Sequence, residues 1–234
     1  MGKGRIVVTG ASQGIGEAVA RDLHARGYEV LCVSRSGRAA VGAAIACDMT
    51  DEAAVKALFE EIGAGGPILG LVNNAGFIAN GPIAQIRTQD FEAMMRLNVT
   101  AVMIASREAH QLLKQSRGTI INMGSWFDKM GVRDNLTYCA SKAAVAAMSR
   151  CMAVEWARDG INVINIAPGY IETDLNREFL AREKVQAFIS RRVPVERAGT
   201  VDEVARLVGA LFVENIKFLT GETIYIDGGQ GIAH

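Results

Sequence analysis

The chain is 234 residues long, half of them apolar and about a fifth charged, with 25 basic and 25 acidic side chains. That length suits one globular domain that buries roughly 70% of its unfolded surface, and the balanced charge gives no field to draw in nucleic acid or a membrane surface. No apolar run reaches the ~20 residues of a membrane helix, no leader-like segment follows Met1, and the four cysteines form neither a Cys-x-x-Cys pair nor a zinc-like spacing with histidine. The expectation is a soluble cytoplasmic protein with reduced cysteines and no metal.

The first β-branched run, residues 5–9, predicts a strand that ends in Thr9-Gly10-Ala11-Ser12-Gln13-Gly14-Ile15-Gly16. It feeds a helix over 15–26 whose Ile15, Ala18, Val19 and Leu23 share a face. Glycines in such a turn allow close approach of a pyrophosphate, and the helix N-terminus offers free N–H groups and partial positive charge. Its place at the first strand and first helix, with no charged residue inside the loop, favours a dinucleotide over an empty turn. A second strand, 29–34, ends in Ser34-Arg35 with Arg38 just beyond. A carboxylate there would bond the ribose 2′-hydroxyl of NAD(H), whereas a hydroxyl and a guanidinium suit a 2′-phosphate. NADP(H) is expected ahead of NAD(H). The segment 34–45 is barely long enough for a crossover, so its helix is short or absent before a weak strand at 43–47.

A helix over 52–62 aligns Val55, Leu58, Phe59 and Ile62, and a strand at 69–73 turns through Asn73-Asn74-Ala75-Gly76, either satisfying its own backbone or lining a groove. Asn98 stands near the start of an apolar helix, where Asn is usually a cap or a cost. The strand 118–123 delivers Ser125 to the carboxyl edge where open α/β sheets bind ligands, so its hydroxyl can polarise a substrate carbonyl. Tyr138 and Lys142 are four apart on a helix and can sit side by side. A cation at ~4 Å in an effective dielectric of ~20 is worth about 4 kcal/mol, which would bring a phenol down by roughly three pKa units. The helix 135–158 carries Val145, Ala147, Met148, Met152, Val154 and Trp156 around most of its circumference, so one side is expected on the sheet and the other against a second subunit. The segment 170–194, mixed apolar and basic, reads as a substrate lid. Strands at 161–167 and 223–227 complete an alternation that predicts a doubly wound, Rossmann-type α/β sandwich over residues 1–234.

Taken in order, TGASQGIG at 9–16, NNAG at 73–76, Asn98, Ser125, Tyr138 with Lys142, PGYIET at 168–173 and TGETIYIDGG at 220–229 resemble the short-chain dehydrogenase/reductase family, most of all its beta-ketoacyl-carrier-protein-reductase-like members. The resemblance implies a seven-stranded parallel sheet and a tetrad. In it Tyr138 exchanges the proton, Ser125 holds the substrate oxygen, Lys142 lowers the Tyr138 pKa and binds the nicotinamide ribose, and Asn98 holds a water. It also implies that Gly10, Ser12, Gln13, Gly14, Ile15 and Gly16 cradle the cofactor, with Ser34 and Arg35 at its phosphate and Asp48 and Met49 at the adenine. Asn74, Ala75 and Gly76 would line the adenosine side, and Pro168, Gly169, Ile171 and Thr173 would orient the carboxamide. A homotetramer with 135–158 at a contact is implied as well. The chain departs from the pattern in the shortness of 34–45 and in Gln13, where many NADP-preferring members carry a basic residue.

The expected function is NADP(H)-dependent interconversion of a small, moderately apolar ketone or aldehyde and its alcohol, in a pocket of Phe77, Ile78, Trp126, Phe127, Met130 and Tyr170. Trp126 and Phe127 serve equally well as core. Alternatives are reduction of a beta-ketoacyl thioester, with Lys114 and Arg158 offering a basic face to an acidic carrier, a dinucleotide sensor without turnover, and non-redox elimination.

Overall fold

A computed structural model describes residues 3–233. Seven parallel strands form the main sheet: β1 (Arg5–Thr9), β2 (Glu29–Ser34), β3 (Ala43–Ala46), β4 (Gly70–Asn73), β5 (Thr119–Met123), β6 (Asn162–Pro168) and β9 (Thr223–Ile226). Their spatial order is β3-β2-β1-β4-β5-β6-β9. The order reverses between β1 and β4, and the carboxyl ends of those two strands therefore open a crevice. Two residues each of β7 (Ile171–Glu172) and β8 (Gly199–Thr200) pair in a second small sheet that the sequence reading did not foresee.

Both faces of the main sheet are covered, which is why its central strands are continuous apolar runs. On one face α1 (Gly14–Ala25) and α8 (Val201–Glu214) bury Val19, Leu23, Val204 and Val208 against Ile6, Val8 and Ile164. On the other, α2 (Glu52–Ala64), α4 (Ala101–Ser116) and α5 (Leu136–Trp156) bury Val55, Phe59, Ile104 and Ala153 against Val7, Leu71 and Ile120. The Asp51 carboxylate starts α2 by accepting from the Ala53 and Ala54 N–H groups at 3.0 and 3.1 Å. Between β2 and β3 there is no helix at all, and β3 forms a largely exposed edge.

α5 lies with one side against the sheet, as its apolar circumference predicts. Its buried face is half polar, with Thr137, Ser141, Lys142 and Ser149 among Val145, Met152 and Ala153. Ala147 and Val154 stand exposed, so the apolar circumference is covered on one side only. Beyond β6, residues 170–194 run through β7, α6 (Arg177–Leu180) and α7 (Glu183–Arg192), with a small apolar cluster of their own around Leu180, Ile189 and Val193. Among the described residues no helix is long and apolar enough to cross a membrane.

Candidate active site

The crevice between β1 and β4 widens into a groove of about 670 Å³. Its floor is main chain. Thr9 Oγ1 accepts from the Asn74 and Ala75 N–H groups at 3.0 and 3.1 Å, and Asn74 Nδ2 donates to the Thr9 and Gly10 carbonyls at 3.0 and 3.2 Å. The loop after β1 and the turn after β4 are thereby locked together. A Cβ at Gly16 would lie 2.3 Å from the Gly10 oxygen, and one at Gly10, whose φ is +67°, would lie 2.9 Å from the Ala75 Cα. Only glycine fits at either position. Gln13, at the N-cap of α1, makes no side-chain cap bond, so the first turn presents its N–H groups to the groove. Such a cradle of bare backbone donors fits the pyrophosphate of a dinucleotide.

Of the residues expected at the cofactor, Gly10, Ser12, Gln13, Gly14, Ile15, Ser34, Arg35, Asp48, Met49, Asn74, Ala75, Gly76, Pro168, Gly169, Ile171 and Thr173 all line this groove. Gly16 lies beneath it, serving close packing of loop and helix. Arg38, just beyond Arg35, lines it as well, and Ser36 and Cys47 join the lining without having been expected there. Ser36 Oγ lies 3.2 Å from Ser34 Oγ, which gathers two hydroxyls beside two guanidiniums with no carboxylate on that loop. Asp48 Oδ1 accepts from the Thr50 N–H and hydroxyl at 2.9 and 2.8 Å; these bonds, with the nearby Arg35 and Arg96 charges, hold its carboxyl below the usual range.

At the far end of the groove stand Ser125, Tyr138 and Lys142. The backbone of Ser125 is extended, and its Oγ accepts from the Phe127 N–H at 3.3 Å, starting a 3-10 turn that leaves the hydroxyl against Tyr138. Lys142 is buried and donates from Nζ to the Met123 carbonyl at 2.8 Å. Desolvation pushes that amine down to about 8. Its Nζ lies 5.5 Å from the Tyr138 ring centroid. The expected lowering of the phenol does not occur in this arrangement: burial pushes Tyr138 above its ordinary value, only partly opposed by the Ser125 hydrogen bond. Desolvation is the largest influence on both groups, raising the phenol and lowering the amine.

Asn98 is not a helix cap: it sits buried in a π-helical turn, Arg96–Thr100, between α3 (Thr88–Met95) and α4, behind the groove lining. Its Oδ1 accepts from the Phe77 N–H at 3.0 Å, and its Nδ2 donates to the Phe77 carbonyl at 2.9 Å and to Ser141 Oγ at 3.2 Å. A π turn of this kind commonly marks a functional site. Here it ties the groove wall at Phe77 to the helix of Tyr138.

The family model described as enoyl-(acyl carrier protein) reductase matches residues 10–230. The 3-oxoacyl-[acyl-carrier-protein] reductase MabA of Mycobacterium tuberculosis is 34% identical over 232 residues, covering 98% of this chain and 93% of that protein. FabG of Escherichia coli, also a 3-oxoacyl-[acyl-carrier-protein] reductase, is 34% identical over 235 residues, 96% of each. The chain belongs to the short-chain dehydrogenase/reductase family. It is an oxidoreductase of that family, and its fold agrees: a gluconate 5-dehydrogenase from Burkholderia cenocepacia, solved with NADP and tartrate, superposes with a TM-score of 0.92 at 30% identity, covering 100% of this chain and 97% of that one.

Two parts of this site were missed in the sequence. Ser141 is wholly buried, donates to the Tyr138 carbonyl at 2.8 Å and receives Asn98, so it holds the helix turn that carries the phenol. Beneath the groove, Asn73 donates to Ser106 Oγ and Asn122 Oδ1 at 3.0 and 2.8 Å, and Asn122 donates to Ser149 Oγ at 2.8 Å, a chain of buried amides and hydroxyls joining β4 and β5 to α4 and α5. Spacing alone could not signal either, because apart from the Ser141–Tyr138 bond within α5 these bonds cross between elements distant in sequence. On the substrate side Phe77, Ile78, Trp126, Phe127 and Tyr170 line the groove as expected, while Met130 is exposed outside it. Trp126 and Phe127 are both wall and core, each 8% exposed. Lys114 in the last turn of α4 and Arg158 just after α5 lie at the end of the sheet opposite the groove, and Lys114 is paired with Asp159 at 2.8 Å. They therefore form no basic face at the groove mouth.

Proposed function

We propose that the protein interconverts a small, moderately apolar ketone or aldehyde and its alcohol with NADP(H), using Tyr138 as the proton donor and acceptor. The observation that carries this reading is the meeting of Ser125, Tyr138 and Lys142 at one end of a glycine-floored groove whose other end holds Arg35 and Arg38. NADP(H), when bound, supplies or accepts the hydride. The phosphate end suits Ser34, Ser36, Arg35 and Arg38, the pyrophosphate suits the α1 N-terminus, and Lys142 would hold the nicotinamide ribose.

In reduction, the Ser125 hydroxyl donates a hydrogen bond to the substrate oxygen, and the Tyr138 phenol passes its proton to that oxygen as the carbonyl becomes an alkoxide. Because burial keeps the phenol protonated at neutral pH, the donor is ready in the reductive direction. Asn98 and Ser141 hold the two walls in register. The wall of Phe77, Ile78, Trp126, Phe127 and Tyr170 bears no charge, which suits an apolar carbonyl substrate. Residues 170–194 serve as its lid. The exposed side of α5, with Ala147, Cys151 and Val154, is the surface at which a homotetramer would form.

The test is a fluorescence titration with NADPH and NADH. Tighter binding of NADPH that weakens in Arg35→Ala is expected; equal or tighter NADH binding would reassign Arg35 to the surface. The curated relatives favour one second reading, a beta-ketoacyl thioester substrate. Turnover of acetoacetyl-CoA well above that of acetophenone or cyclohexanone would select it.

A further inference from the structure

The turn that carries Ser125 is tied to the edge of the sheet. Ser125 lies two residues past β5, and the chain closes at once into the 3-10 turn Trp126–Lys129. Two bonds hold the serine to that turn: its carbonyl accepts from the Asp128 N–H at 3.0 Å, and its Oγ accepts from the Phe127 N–H at 3.3 Å. So short a 3-10 turn has few bonds of its own and poorer geometry than an α-helix, so its place depends on what its side chains grasp. Asp128 supplies the grasp. Its Oδ1 and Oδ2 accept from the Tyr225 hydroxyl at 2.9 and 3.2 Å, a contact that spans 97 residues of chain. Tyr225 stands on β9, the edge strand of the main sheet, in register with Ala167 of β6.

The anchor is itself held. The Lys129 ammonium sits 3.7 Å from the centre of the Tyr225 ring, an attraction of cation to ring face that brings the turn back onto the same tyrosine. Burial, together with the bond to Asp128, pushes the Tyr225 phenol up to about 12, so it remains a donor throughout the neutral range. A hydrogen bond from a hydroxyl to a carboxylate is among the stronger side-chain bonds. Asp128, Lys129 and Tyr225 all stand outside the groove lining, whereas Ser125, Trp126 and Phe127 belong to it. We propose that Asp128, held by Tyr225, is a positioning residue for Ser125: it fixes the turn that aims the serine hydroxyl at the substrate oxygen. This deepens the oxidoreductase reading, on which its kinetic consequence rests.

Three variants separate the strap from general packing. Tyr225→Phe removes one oxygen and keeps the ring beneath Lys129, Asp128→Leu removes the acceptor, and Asp128→Asn keeps an acceptor without the charge. Outright loss of a donor to a developing oxyanion costs about 10²–10³ in kcat, so Ser125→Ala sets the ceiling and a misaimed hydroxyl should cost about tenfold. Tyr225→Phe and Asp128→Leu are each expected to lower kcat about tenfold, with the NADPH dissociation constant within about two-fold. The substrate is whichever of acetophenone, cyclohexanone and acetoacetyl-CoA turns over fastest. Asp128→Asn should restore kcat to within about two-fold of wild type. In a Ser125→Ala background Tyr225→Phe should cost nothing further, since no hydroxyl is left to aim. Wild-type kcat in both bond-breaking variants, an undiminished loss in the Ser125→Ala background, or Asp128→Asn as slow as Asp128→Leu would overturn the proposal. One readout needs no turnover. In a Trp156→Phe background Trp126 is the remaining tryptophan, and Tyr225→Phe and Asp128→Leu should shift its emission to the red while Asp128→Asn leaves it in place. Unshifted emission in both would overturn the strap whether or not a carbonyl is reduced; absence of turnover in the wild type would count against the oxidoreductase reading alone.

Discussion

Around residues 10–16 and 74–76 the groove wall is main chain, pinned by the Thr9 and Asn74 hydrogen bonds and so tight that single added carbons collide. Across the groove the wall is made of side chains, and some are loosely covered: Phe77 is 41% exposed and Ile78 51%. Backbone walls have one shape and side-chain walls have many. A partner that is the same in every turnover can be met by the first kind, whereas a substrate that differs among relatives called 3-oxoacyl-carrier reductases and gluconate dehydrogenases must be met by the second. Changes to the two halves should therefore fail differently.

The largest effect is expected at the junction of the halves. Tyr138→Phe removes the hydroxyl proposed as proton donor but leaves the ring that packs edge-on against Phe127 at 5.6 Å. The rate should fall by about 10²–10⁴ while the NADPH dissociation constant stays within about two-fold. Stopped-flow reduction alongside the fluorescence titration separates the two quantities. A variant that kept most of its rate would take the phenol out of the mechanism.

Next in size is Lys142. Its amine is pushed down to about 8 by burial, with its proton directed to the Met123 carbonyl. Below that pH the folded and unfolded chains both carry the proton, and the buried charge costs stability. As pH rises from about 8 toward the unfolded value near ~10.5, the unfolded chain binds more protons than the folded one, so stability rises. Relative to Lys142→Met, the wild type should gain roughly 3 kcal/mol across that window. Denaturant unfolding at pH 7.5 and 10 reads this directly, and a pH-independent gap would mean that the amine is solvated.

Most of the nucleotide half was legible because its signals are local. Gly10, Gly14 and Gly16 stand at fixed offsets after a β-branched run, and Ser34-Arg35 closes the next one, so neighbours in sequence are neighbours in the groove. The catalytic half was legible as residue types but not as electrostatics. Spacing put Tyr138 and Lys142 on one face, yet it carries no information on burial, and burial is what pushes the phenol up and the amine down. The sequence left open whether Asn98 caps a helix, because its partners, Phe77 and Ser141, lie 21 and 43 residues distant. The missing helix after β2 was foreseen from length alone, whereas the pairing of Ile171 with Gly199 in the small second sheet carried no periodic signal, each strand being two residues long.

A pair of glycines sharpens the contrast at the small end of the scale. At Gly16 an added methyl meets the Gly10 carbonyl at 2.3 Å and the Asn74 amide, and neither can yield without breaking the bonds that hold loop and turn together. Gly16→Ala should cost about 1–3 kcal/mol of stability by overpacking and weaken NADPH at least about tenfold as the cradle opens, about 1.4 kcal/mol of binding. Gly81, on the loop beyond Phe77, has nothing within 4 Å of the same added atom. Gly81→Ala should stay within about 0.5 kcal/mol and leave NADPH binding untouched. Thermal unfolding and nucleotide titration of the two variants side by side would decide whether the main-chain wall is the rigid half. Equal tolerance at both positions would mean that the glycine loop adjusts as freely as the substrate rim, and that the division between a fixed cofactor wall and an adaptable substrate wall is wrong.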